Sequence, residues 1–171
     1  SGDQYFTSYS LVLLAIWFLQ NCVTPAVLPK LQDVTQLKTT STGFQMRNLQ
    51  SFNGIQCVWA IPTSWKSQCT LSVGELFVSF LHFVGMEFNW NQWAIVMKDA
   101  IAVPKEPIGS NHPGAQIPPM SLTHPATAKM EMVCMDPFET GFNTLGRIGD
   151  ERIDEVLDAF RVTYELLAVQ H

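Results

Sequence analysis

Nine consecutive apolar residues, 11-LVLLAIWFL-19, restrict this chain more than any other feature. A helix through them is apolar all round, so it cannot lie on a surface, and it falls well short of the ~20 residues needed to cross a bilayer. It has to be enclosed by other elements of the same fold. The spacing predicts a central core helix over 7–21, ended by Asn21 and Pro25, with 25-PAVLPKLQ-32 as a proline-bounded turn. A chain of 171 residues, 47% hydrophobic and 15% charged, carries enough apolar material for one sizeable core. A single domain over 1–171 is expected.

Two further helices can supply the enclosure. At 72-SVGE-75, Ser72 can accept from the backbone three residues on while Glu75 reaches back, a capping box that starts a helix. Val73, Leu76, Phe77, Phe80, Leu81 and Val84 keep helical spacing, which predicts a helix over 72–86. His82 lies on it as a packed or surface histidine. From Asp150 to about residue 169, Ile153, Val156, Leu157, Phe160, Tyr164, Leu167 and Ala168 form one face of a third helix. Glu151, Asp154, Glu155, Asp158, Arg161 and Glu165 form a solvated opposite face.

The β signals are weaker. The runs 93-WAIVM-97 and 130-MEMVCM-135 are short and β-prone, and are expected to pair in a small sheet. Between them lies a proline-rich loop, 104–129, long enough to be functional, disordered or both. Residues 33–54, rich in Thr, Ser, Gln and Asn, read as surface loop with room for one short helix. The fold class expected is mainly α within α+β: a helical domain with a small β element.

Charge and cysteine pattern exclude several functions. The net charge of −5 and the ten scattered Lys and Arg residues leave little phosphate-binding field for nucleic acid on this chain alone. Cys22, Cys57, Cys69 and Cys134 have no CxxC spacing and no nearby paired histidines, so they read as separate buried thiols, and no metal ligands are assigned. No signal peptide is visible, and an intracellular protein without membrane association is expected.

One stretch asks for a chemical explanation. In 133-VCMDPFETGFNTLGR-147 an apolar run stops at Asp136-Pro137, and Glu139 follows three residues later. Taken alone, Asp136 is an ordinary turn former, Ser8 a helix cap and Tyr9 a core residue. In order along the chain, however, 7-TSYSLVLLAIWFLQ-20, 25-PAVLPKLQ-32, 71-LSVGELFVSFLHFVGMEFNW-90 and 133-VCMDPFE-139 resemble the central, PAP-associated domain of the non-canonical poly(A) polymerases and terminal uridylyltransferases. The four segments span almost the whole chain.

The resemblance implies a nucleotide pocket. In that family the serine opening the first helix touches the triphosphate and the adjoining tyrosine stacks on the base; Ser8 and Tyr9 match them. Hydroxyls and amides at a helix start suit an anion, and an aromatic face holds any base. Asp136 and Glu139 match the family's acidic turn, where carboxylates sort bases by the position of their hydrogen-bond donors. Uridine-selective members carry a histidine three residues after that glutamate. Here the place holds Phe142, whose ring cannot hydrogen-bond a uracil carbonyl, or, if the turn carries one inserted residue, Asn143, which can donate or accept; neither is the histidine.

The resemblance also implies what else is needed. Transfer requires carboxylates that hold two metal ions, Mg or Mn, and the family carries these on a separate nucleotidyltransferase domain with a Gly-Ser turn and an Asp-x-Asp strand. No Gly-Ser turn followed by an Asp-x-Asp strand occurs here, so no catalytic residue is assigned and no cofactor is expected on this chain. Gly2-Asp3 already resembles the residues just before the Ser-Tyr helix, so the sequence begins mid-pattern and looks cut. The expected function is nucleotide recognition for an RNA 3′-terminal nucleotidyltransferase, with a ribonucleoside triphosphate and an RNA 3′ end as partners once the catalytic half is present. The alternative is a non-catalytic scaffold whose helices bind a protein partner.

Overall fold

The computed structural model describes residues 6–30, 44–50, 56–62, 66–139 and 141–169, the two segments between 44 and 62 by their backbone. The elements, in order, are α1 (Ser8–Asn21), β1 (Phe44–Gln50), β2 (Gln56–Pro62), α2 (Val73–His82), β3 (Trp93–Val96), β4 (Ile101–Pro104), α3 (Pro125–Ala128), β5 (Cys134–Met135) and α4 (Asp150–Ala168). This is an α+β arrangement. Among the described residues, no helix is long and apolar enough to cross a membrane.

The apolar run is enclosed as its composition demands. Leu13, Leu14, Trp17 and Phe18 of α1 are buried together with Phe83, Val84, Trp90, Ile95, Met132, Leu145 and Ile153. Trp17 stacks on Phe83 with ring centroids 5.6 Å apart, and Phe18 meets Phe80 edge-on at the same distance. Each large apolar side chain enclosed in this way stabilises the fold by about 1.5–3 kcal/mol.

The capping box forms as written in the sequence: Glu75 N donates to Ser72 Oγ at 3.2 Å and Ser72 N to Glu75 Oε2 at 2.7 Å. Helix α2 then loosens into a π-turn over Phe83–Glu87. Gly85 lies in that turn because α4 crosses there. A Cβ at position 85 would sit 2.8 Å from Arg161 N and 3.1 Å from Phe160 Cβ. His82 packs on the Tyr164 ring at 4.8 Å and its Nδ1 lies 3.5 Å from Glu87. On α4 the expected face is inward and the charged face outward, but Val162, Leu166 and Val169 are also exposed.

The β structure departs from expectation in two ways. Strand β3 does lie beside β5, in parallel, but it also pairs with β4 in antiparallel register, Trp93 opposite Pro104 and Val96 opposite Ile101. Strand β5 is confined to Cys134–Met135, since residues 130–132 bend. In addition, β1 and β2 form an antiparallel hairpin with Phe44 opposite Pro62 and Gln50 opposite Gln56. The polar stretch 33–54 therefore contains a strand, where a loop is expected. Residues 31–43 and 51–55 lie outside the described residues. The cysteines depart too: Cys22, Cys69 and Cys134 are free thiols, but only Cys134 is buried.

Much of the proline-rich loop is packed rather than loose. Met120 and Ala128 are buried with Ala94, Val133 and Met135 beside the sheet. Lys105 is only 3% exposed, and its Nζ donates to the carbonyls of Met130 at 2.6 Å and Glu131 at 2.7 Å. Burial lowers the Lys105 ammonium to about 8, only partly offset by the Glu131 charge. Between about 8 and the ordinary lysine value the unfolded chain holds a proton that the folded chain has released, so stability from this group rises with pH in that window. Thermal melts from pH 8 to 10 are expected to show that rise, and Lys105→Met to lack it. An identical pH profile in the variant would contradict the assignment.

Candidate functional site

Helix α1 delivers its first turn to the acidic turn. Thr7 is the N-cap, its side chain accepting from Ser10 N at 3.1 Å, so the capping role falls to Thr7 and Ser8 is the first helical residue, exposed. Tyr9 is 45% exposed rather than core, and its hydroxyl donates to Asp136 Oδ2 at 2.6 Å across 127 positions of sequence. Partial burial, the hydrogen bond to Asp136 and nearby carboxylate charge all push the Tyr9 phenol well above its ordinary value, so it remains a donor.

Asp136 serves two ends at once. Its Oδ1 accepts from Phe138 N at 2.7 Å and Glu139 N at 2.8 Å, which shapes the turn after β5. The main chain closes the turn through Asp136 N to Phe142 O, 2.9 Å, and Phe142 N to Glu139 O, 3.2 Å. Gly141, at φ +85, takes the left-handed conformation that glycine tolerates without cost. Glu139 is exposed, and so are Phe138 and Phe142, by 40% and 39%.

Ser8, Tyr9, Asp136, Glu139 and Phe142 thus gather around the start of α1 and the turn after β5. Asn143 is placed differently. It is 8% exposed, and its Oδ1 accepts from Cys134 N at 2.9 Å and Leu145 N at 3.1 Å while Nδ2 donates to Met132 O at 2.9 Å. Its amide is committed to the backbone under the turn. Sequence inspection also passed over Ser10, which is fully buried and donates from Oγ to Thr144 O at 2.8 Å, tying α1 to the same segment. A cleft of ≈ 860 Å³ lined by Cys22, Ser72, His82 and Tyr164 includes none of the six candidate residues.

With this geometry in place, the comparisons with known proteins decide the family. Residues 72–141 match the family described as Cid1 family poly A polymerase, PAP-associated. The chain carries a PAP-associated domain of the non-canonical poly(A) polymerase family. Poly(A) RNA polymerase gld-2 of Caenorhabditis elegans is 31% identical over 199 aligned positions, covering 97% of this chain and 17% of the relative. Poly(A) RNA polymerase GLD2 of Rattus norvegicus is 33% identical over 99, covering 58% and 19%. The chain therefore spans under a fifth of the length of these curated relatives. The PAP-associated domain also shares its fold with mtPAP crystallised in complex with UTP, at a TM-score of 0.65 and 17% identity over 98% of this chain and 30% of that one.

Proposed function

We propose that this domain recognises the nucleotide for an RNA 3′-terminal nucleotidyltransferase and does not catalyse transfer by itself. One observation carries the proposal: an exposed tyrosine ring is joined by its hydroxyl to a carboxylate turn that presents a second, exposed carboxylate. The ring offers a stacking face, and Glu139 can accept from the donor edge of the stacked base. Ser8, exposed at the first residue of α1, is placed to meet the triphosphate. The kinship to poly(A) RNA polymerases and the fold shared with a protein crystallised with UTP support this reading.

The metal ions of transfer do not fit these residues. Among the described residues no three of His, Cys, Asp and Glu are grouped to hold an ion, and the Asp136 carboxylate is already occupied by two amides and a phenol. Mg or Mn would accompany the nucleotidyltransferase domain.

Among the described residues from Asp136 to Asn143, the exposed side chains are Phe138, Glu139 and Phe142, none a donor for the carbonyls of uracil. Base preference is therefore not strictly uridine. On this chain alone, affinity for UTP or ATP should be near millimolar, which corresponds to about 4 kcal/mol. In titrations of the full-length protein with the four nucleotides, Tyr9→Ala should weaken each about 5-fold to 150-fold, the worth of one stacked base at ~1–3 kcal/mol. Binding unchanged in Tyr9→Ala, or strong preference for UTP alone, would refute the pocket. Absence of binding would favour a scaffold, for which the apolar stripe Val162, Leu166 and Val169 on α4 is the supporting observation.

A further inference from the structure

The acids of this chain are unevenly placed. All 15 Asp and Glu residues lie outside 34–74, a segment in which Lys38, Arg47 and Lys66 are the only residues with a formal charge. A chain of net charge −5 therefore carries one purely basic segment, and the β1–β2 hairpin is built from it. Such a segment attracts a polyanion where the rest of the chain repels one.

The hairpin also stands apart in the sheet topology. Strands β1 and β2 pair with each other, while β4, β3 and β5 make a separate sheet. Two strands alone are marginally stable in water, so the ribbon gains from whatever it packs against. Its register sets Arg47 opposite Trp59, with Gln45 opposite Ile61 and Leu49 opposite Cys57 on the same face. A cation beside an indole on an acid-free ribbon suits single-stranded nucleic acid, whose phosphates are met by charge and whose bases are met by an aromatic ring.

The root of the hairpin lies at the end of α1 away from the nucleotide pocket. Ser67, which follows the hairpin in the chain, donates from Oγ to Ala26 O at 3.1 Å, just beyond the C-terminus of α1. The 14 residues of α1 put that end about 20 Å from Ser8 and Tyr9.

We propose that the β1–β2 hairpin is a contact for single-stranded RNA, with Trp59 stacking on a base and Arg47, its cross-strand neighbour, meeting a phosphate. The inference rests on the reading of this domain as part of an RNA 3′-terminal nucleotidyltransferase. It adds where the RNA is held: at nucleotides upstream of the 3′ end, apart from the incoming nucleotide at Tyr9.

The test is anisotropy of a fluorescein-labelled single-stranded oligoadenylate with the full-length protein and with Trp59→Ala, Trp59→Phe, Arg47→Gln and Arg47→Lys, over a range of salt. Trp59→Ala should weaken the RNA roughly 5-fold to 150-fold, the worth of one stacked base, and Trp59→Phe should recover part of the loss. Arg47→Gln should lower the slope of log affinity against log salt by about 0.7, one phosphate contact fewer, and Arg47→Lys should keep it. Affinity for ATP should stay the same in all four. If Trp59→Ala does not fold, the two Arg47 variants make the same comparison. RNA affinity and salt slope unchanged in Trp59→Ala and Arg47→Gln would overturn the proposal and leave the ribbon to a protein partner. Equal losses for RNA and ATP would overturn it as well, and so would a lack of RNA binding by the unmodified protein. In each case Tyr9-dependent binding of ATP would leave the nucleotide pocket standing.

Discussion

Asn143→Ala is expected to destabilise the fold by on the order of 3–5 kcal/mol, the largest effect of any single substitution near the site. The side chain satisfies Cys134 N, Leu145 N and Met132 O in a region closed to water. Removing it leaves three main-chain groups without that partner, and each buried group so orphaned costs about 1–3 kcal/mol. Against a total stability of about 5–15 kcal/mol for a typical domain, the loss is a large fraction. Asn143→Leu fills the volume but restores none of the bonds, so it should be nearly as damaging. Urea unfolding followed by tryptophan fluorescence checks this; a midpoint within error of the unmodified protein would show that the amide is dispensable.

The second large effect is expected at Gly85. Glycine in a helical turn is ordinarily a weakness, and Gly→Ala in an exposed helix gains about 1 kcal/mol. Here the added Cβ meets Arg161 N at 2.8 Å and Leu157 O at 3.2 Å, both main-chain atoms of α4 that no rotamer change can move. The crossing of α2 and α4 must open, and overpacking of that kind costs about 1–3 kcal/mol or more. Gly85→Ala should therefore lower stability despite its better propensity, and Gly85→Leu should prevent native packing of the terminal helix. A melting temperature raised by Gly85→Ala would mean that the crossing is looser than the geometry states.

These two residues show what the sequence could and could not disclose. The helices were legible because burial, capping and periodicity are local: the all-apolar run of α1, the Ser72 and Glu75 pair, and the inward face of α4 each stand in a few adjacent positions. The polar strand Phe44–Gln50 was missed because it lacks a sustained apolar alternation, although Asn53-Gly54, a dipeptide favoured in hairpin turns, lies in the sequence between β1 and β2. Strand β4 lies between the expected strand 93–97 and the proline-rich loop that starts at 104, and four residues ending in Pro104 give too short a signal.

At the site, motif resemblance located the residues but not the direction of their side chains. Asn143 and Phe142 are adjacent in the chain, and only the fold shows one buried beneath the turn and the other exposed on it. Ser10 was hidden between Tyr9 and the apolar run, and its partner is a carbonyl 134 positions away.

The central claim is that Tyr9 is the platform on which a base rests. Among the described residues Tyr9 is the tyrosine at the acidic turn, and its ring resonances can be assigned by loss in Tyr9→Phe and followed in protein carrying labelled tyrosine. Adding ATP to the full-length protein should move the Tyr9 ring signals upfield in proportion to saturation, as stacking requires, while those of Tyr164, which faces His82, stay in place. Saturable nucleotide binding with the Tyr9 signals unmoved would contradict the account.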